Sequence, residues 1–246
     1  MCLNKSRLTA FIFIFLLVNK ARSQQLSNVS LANTQELSYP LSLYYATVGE
    51  NAHIYNGYEY MTPDRNIKGS PYFIADGPMS ASLFYDDSYY LDIPVQYDMV
   101  RDQVVIKRLG QNFKISLISE KLTSFFIHGH DFIRISQDSV HGVELVSGFY
   151  DRTYAGKSTV LVKRRKYIKE VMEYSNTSQT YLEEEIFYVK SGDGFQIVNN
   201  KSSVLKLFRS KKSEIKSFLR KNKLSFSSDF EKTLIATAAY YDQLTS

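Results

Sequence analysis

Between Ser80 and Val198 short runs rich in Val, Ile, Phe and Tyr recur every 8 to 12 residues, separated by clusters of Asp, Asn, Gly and Ser. That spacing belongs to antiparallel strands joined by tight turns. It predicts strands over Ala81–Tyr85, Ser88–Ile93, Gln103–Lys107, Phe113–Ile118, Ser124–Ile127, Asp131–Ile135, Glu144–Tyr150, Ser158–Val171, Thr180–Lys190 and Phe195–Val198. After Val198 the apolar period changes from two to 3.6. Val204, Leu207 and Phe208 form one stripe, Ile215, Phe218 and Leu219 a second, and Phe230, Leu234, Ala238 and Tyr241 a third, which predicts three helices. Ser210 is placed to cap the second, and Ser228-Asp-Phe-Glu231 has capping-box spacing for the third.

The expected fold is therefore α+β: a mainly antiparallel sheet, curved as a half-barrel or sandwich, with C-terminal helices over about 202–244. Residues 41–60 are apolar and aromatic without a clean period, and Pro63, Gly69, Pro71, Gly77 and Pro78 then punctuate turns. One domain is expected over 41–246, preceded by a polar leader at 24–40.

The charge pattern sharpens the topology at one place. Lys163-Arg164-Arg165-Lys166 and Glu183-Glu184-Glu185 flank a loop near Met172–Gln179, and a hairpin folded about position 174 sets one block against the other. Unlike charges opposed on a sheet contribute roughly 0.2–1 kcal/mol per pair. The basic block is thus accounted for without nucleic acid.

Composition fixes the compartment. Lys5 and Arg7, the apolar run Leu8–Val18 and the small-residue site Ala21-Arg22-Ser23 make the first 23 residues a cleavable export signal. That run is too short for a membrane-spanning helix, which needs roughly 20 residues, and no later segment is long enough. The expected location is the periplasm or the exterior. The only cysteine, Cys2, lies inside the signal, so the mature chain has no disulfide, thiol nucleophile or thiolate ligand. Removing the signal also removes four basic residues and lowers the net charge from +5 to +1. Residues 24–150 carry 8 basic and 14 acidic side chains, whereas 151–246 carry 18 and 11.

The basic excess concentrates on the helices. Lys201, Lys206, Arg209, Lys211, Lys212, Lys216, Arg220, Lys221 and Lys223 share their span with Glu214 alone among acids. Clustered charge of one sign steers association. Lys206, Arg209, Lys212, Lys216 and Arg220 are the candidate docking residues, for an acidic protein or an anionic envelope component.

Catalytic signals are sparse. His128-Gly129-His130-Asp131 contains ordinary metal ligands, and His53 or His141 could complete a site around His128 and His130. Its place between two strands also suits a hairpin turn. Gly156-Lys157-Ser158-Thr159 ends like a phosphate-binding loop but lacks the upstream glycine, Asp151 standing there, and the following helix. Asp86, Asp87, Asp92, Asp98 and Asp102 offer carboxylate pairs for a hydrolase acting on envelope or polysaccharide substrates, although Asp is also the ordinary turn residue between strands. Ten tyrosines between Tyr44 and Tyr97 suit a sheet core. No cofactor is implied.

Tyr55-Asn56-Gly57, Glu59-Tyr60, Gly69-Ser70-Pro71-Tyr72-Phe73, Tyr97-Asp98, Gly148-Phe149-Tyr150, Tyr154, Gly156 and the tail Ser202–Tyr241 together resemble uncharacterised secreted proteins of Bacteroidota-type Gram-negative bacteria. The resemblance implies an exported protein and assigns no activity. The expected function is a non-enzymatic binding or accessory protein, with the carboxylate hydrolase as the alternative.

Overall fold

The computed structural model describes residues 53–108, 111–136, 145–173, 176–192 and 194–245. The expected export signal and leader, residues 41–52 and His141 lie outside the described residues. Eleven strands form one sheet: β1 (Gly57–Glu59), β2 (Met79–Tyr85), β3 (Ser88–Asp98), β4 (Gln103–Lys107), β5 (Lys114–Leu117), β6 (Leu122–Ile127), β7 (His130–Ile135), β8 (Gly148–Ala155), β9 (Thr159–Glu173), β10 (Asn176–Lys190) and β11 (Phe195–Val198). Their order is β1-β5-β4-β3-β2-β6-β7-β8-β9-β10-β11. All ten expected strands are present, and the α+β class holds. The missed strand, β1, is only three residues long and has no alternation of its own; it exists because it pairs with β5 from Gly57↔Leu117 to Glu59↔Ile115.

Two of the boundary shifts trace to single residues. The strand expected over Glu144–Tyr150 starts only at Gly148 and runs to Ala155. Gly148 has φ +149°, and a Cβ there would run into the Asp102 carboxylate and the Lys163 ammonium, so glycine is required where β8 begins its pairing with Ile135 of β7. The strand expected to stop at Ile93 continues through Pro94 to Asp98. Proline is tolerated because Pro94 pairs with Ser80 of β2 while the β4 ladder begins only at Val95, leaving Pro94 at an edge on that side.

The short β5–β6 connection forces the sheet to curl. β6 lies beyond β4, β3 and β2 from β5, about 19 Å away across a flat sheet with strands about 4.8 Å apart. Yet the connection is Ile118 and the 3-10 turn Ser119–Lys121, and such a turn advances only about 2 Å per residue. Rolling the strands round brings the ends within reach. An aromatic core fills the concave side: the Phe125 and Phe132 rings stack at 4.7 Å, Tyr97 meets both edge-on at 5.2 and 5.1 Å, and Phe73 meets Phe132 at 5.2 Å.

The far half of the sheet has a second, aliphatic core. Helices α1 (Lys201–Leu207), α2 (Lys212–Lys221) and α3 (Phe230–Leu244) lay Val204, Leu205, Phe208, Ile215, Leu219, Leu234 and Ala238 against Val160, Val189 and Val198 of β9, β10 and β11. Each large side chain so buried contributes roughly 1.5–3 kcal/mol. Two expected caps are corrected. Ser210 does not cap α2, because residues 209–211 form a 3-10 turn and its hydroxyl meets that of Tyr241 at 3.2 Å. The α3 cap is Asp229, whose carboxylate accepts from the Lys232 N–H at 2.9 Å; Ser228 instead donates to the Ser225 carbonyl.

The β9–β10 hairpin pairs as the charge blocks require, with Lys166 opposite Glu183, Arg165 opposite Glu184 and Arg164 opposite Glu185. The consequence for Arg164 goes beyond this ladder. Its guanidinium is 5 % exposed and bonds Asp151 of β8 at 2.7 Å, Glu231 of α3 at 2.6 Å, and Glu185. Burial opposes its charge, but Glu231 and Asp151 hold its pKa above the ordinary arginine value. Asp151 in turn meets the His130 imidazole at 2.6 Å. At the other end of α3, Asp242 accepts from the Ser158 hydroxyl at 2.7 Å, the Ser158 N–H at 2.8 Å and the Tyr154 hydroxyl at 3.0 Å.

Replacing Arg164 by Met strands Asp151 and Glu231 without their cation, so chemical denaturation should show a loss of about 3–5 kcal/mol. Glu185 behaves oppositely, because burial raises its carboxyl above the ordinary 4.5 even with Arg164 beside it. A raised folded-state pKa gives stability that is complete below the unfolded value and lost as pH rises through the folded one. Glu185→Gln should therefore gain on the native chain in melts taken from pH 4.5 toward neutrality.

Candidate functional site

The helical layer presents its charge in one concavity. α1 is started by Asn200, whose side chain accepts from the Ser203 N–H at 2.9 Å while the Ser203 hydroxyl receives the Asn200 N–H at 3.2 Å. This fixes Lys201, Ser202, Leu205 and Lys206 on the first two turns. The 3-10 turn Arg209–Lys211 then redirects the chain into α2. Ile215 and Leu219 are buried in the core cluster, so Lys212, Lys216 and Arg220, spaced by four, are carried on the outer side. A groove of about 670 Å³ results, lined by Lys201, Ser202, Leu205, Lys206, Arg209, Lys212 and Lys216.

Four of the five expected docking residues, Lys206, Arg209, Lys212 and Lys216, thus share one groove; Arg220 lies a turn further along α2, exposed and outside its lining. Lys201 adds a fifth cation. Among the described residues none of these cations is in an ion pair, and the one acid of the segment, Glu214, is 3.9 Å from Lys211. Ser202 and Leu205 were not legible as lining. Leu205 belongs to the buried core cluster yet contributes to the groove floor, and periodicity alone does not separate the two roles.

The other candidates are placed as follows. His128 and Gly129 form the two-residue β6–β7 turn, with φ 48° and 84°, the double left-handed geometry that favours glycine. His130 points to Asp151, and His53 is 3.4 Å from Asp86. Among the described residues no group of three His, Cys, Asp or Glu side chains converges as a metal site. Gly156 and Lys157 lie in the β8–β9 turn, next to the Ser158 that anchors α3.

The carboxylates have local duties. Asp86 and Asp87 make the β2–β3 turn, and Asp92 and Asp102 also have positive φ. Asp86 receives Lys121 at 3.1 Å, a contact that holds its carboxyl below the ordinary value. Asp98 is buried, accepting from the Tyr60 hydroxyl at 2.7 Å and from the Val100 and Arg101 N–H groups at 2.9 and 3.0 Å. Asp102 accepts from the Tyr97 hydroxyl at 2.6 Å and from Lys163 at 2.7 Å. Tyr60, Tyr72, Tyr85, Tyr90 and Tyr97 are all buried, as a sheet core requires, whereas Tyr58 and Tyr89 are exposed.

Compared with known protein families, curated proteins and solved structures, the chain matches none. No helix among the described residues is long and apolar enough to cross a membrane.

Five exposed cations in one groove repel one another, and none of them packs in the core. The Lys206→Glu, Lys212→Glu double variant is expected to melt within about 0.5 kcal/mol of the native stability, and to be the more stable of the two at low ionic strength. Thermal melts at two salt concentrations check both points.

Proposed function

We propose that this chain is an exported, non-enzymatic binding protein whose α1–α2 groove docks an acidic segment of a protein partner. The observation that carries this is the line of Lys201, Lys206, Arg209, Lys212 and Lys216 around one concavity without ion-pair partners among the described residues. A cation neutralised by its own fold has no field left for a partner. Exposed charges separated by more than about 8 Å are screened from one another at physiological salt, so only a cluster of this kind builds a potential that steers an anion. The concave form favours an inserted segment over a flat surface, and Leu205 at its floor offers the apolar contact that a pure charge patch lacks. Export through residues 1–23 puts the encounter outside the cytoplasm.

A fluorescent deca-glutamate peptide, followed by anisotropy, tests this directly. Binding should weaken steeply as salt rises and fall at least tenfold in Lys206→Glu, Lys212→Glu. No binding by the native protein, or binding unchanged by charge reversal, overturns the proposal. Tighter binding to phosphatidylglycerol vesicles than to the peptide would replace the protein partner with an anionic lipid surface.

A further inference from the structure

A second cavity lies in the other half of the molecule, where the sheet comes apart. β3 and β4 pair from Asp98↔Gln103 to Val95↔Ile106 and no further. The next step would set Pro94 against Lys107, and proline has no N–H to carry the ladder on. β4 nevertheless continues to Lys107, where it pairs with Lys114 of β5, while β3 at Pro94 and Ile93 stays with Ser80 and Ala81 of β2. The two strands diverge from a common point and leave a wedge between them.

The wedge holds about 370 Å³, within the size range of small-ligand sites, and is lined by Tyr55, Ile93, Pro94, Ile106, Lys107, Arg108, Gln111 and Asn112. Its chemistry is divided. Ile106 is buried at 2 % exposure and makes an apolar floor with Ile93, Pro94 and the Tyr55 ring. Lys107, the last residue of β4, and Arg108 just after it line the wedge, with Gln111 and Asn112 beyond. Arg108 is held over the Phe113 ring at 5.9 Å, and among the described residues neither Lys107 nor Arg108 is in an ion pair. An apolar floor with two unpaired cations on one side is complementary to a molecule with an apolar body and a single anionic end.

We propose that this wedge binds a single-chain amphiphilic carboxylate, its tail on Ile93, Pro94, Ile106 and Tyr55 and its carboxylate between Lys107 and Arg108. The planar guanidinium takes the two carboxylate oxygens as a fork, and the lysine adds a point charge. Gln111 and Asn112 are placed to offer amide N–H groups to the same end. The site is separate from the α1–α2 groove in both residues and ligand, since the groove asks for a polyanion and the wedge for one charge and an apolar chain.

Isothermal titration calorimetry with decanoate, using protein produced from the whole coding sequence, tests the site. Decanoate should bind with one-to-one stoichiometry and at least tenfold more tightly than 1-decanol. Arg108→Gln should lose at least tenfold in affinity. Pro94→Val restores a backbone N–H, lets β3 and β4 zip past Val95, and should abolish binding without lowering the melting temperature, a combination that mere loss of structure does not produce. Lys212→Glu, Lys216→Glu should bind decanoate as the native protein does. The proposal is overturned if decanoate gives no saturable heat, if decanol binds equally well, if Arg108→Gln binds like the native chain, or if the helix double variant loses the ligand.

Discussion

Arg164 is the charge on which the sheet and the helical layer are joined. Its guanidinium sits almost out of solvent among Asp151, Glu185 and Glu231, so one cation links β8, β9, β10 and α3. Removing a charge from water costs several kcal/mol, which good geometry and further hydrogen bonds offset. Here the geometry holds only if the strands keep their register and α3 keeps its position, because a slip of one residue would turn Arg164 to the other face and leave the carboxylates buried without it. The interaction thus selects one arrangement of sheet and helices more than it adds net stability. The Asp242 contacts with Ser158 and Tyr154 do the same at the far end of α3, and with α3 pinned at both ends, α1 and α2 have a fixed surface on which to pack.

From that anchoring follows the character of the α1–α2 groove. The helices meet the sheet through apolar side chains, whose burial is non-directional, and their polar sides carry an excess of lysine and arginine. Acids are not scarce in the chain, but the buried Asp98 and Asp151 and the half-buried Asp102 and Glu231 are committed elsewhere, the first and third to the β3–β4 turn and its tyrosines, the others to Arg164. The groove cations are left facing solvent.

Proline and glycine shape the opposite half. Pro94 ends a ladder in mid-strand, and the wedge between β3 and β4 is the geometric result. Gly148 admits the Asp102 carboxylate and the Lys163 ammonium where any side chain would collide. Both residues act on what the backbone is allowed to do, proline by the N–H it lacks and glycine by the side chain it lacks.

The sequence by itself determined the elements and one register. Alternating apolar runs, a switch to helical period near residue 200 and two opposed charge blocks led to ten strands, three helices and the β9–β10 pairing, because these are local signals whose physics is complete within a few residues or one hairpin. Candidate docking residues were legible for the same reason, since a charge excess along a helix is visible in the chain. Tertiary structure alone decided the rest. β1 exists only by pairing with a strand some sixty residues on, the curl comes from β5 and β6, consecutive in the chain but separated in the sheet by β4, β3 and β2, and the Arg164 network draws its five members from between residues 130 and 231. The capping-box spacing of Ser228 and Glu231 was legible, but α3 starts one residue later on Asp229, and Glu231 meets Arg164 of β9. A local motif is complete within a few residues, whereas a buried charge finds its partners only when distant strands and a helix have been brought together.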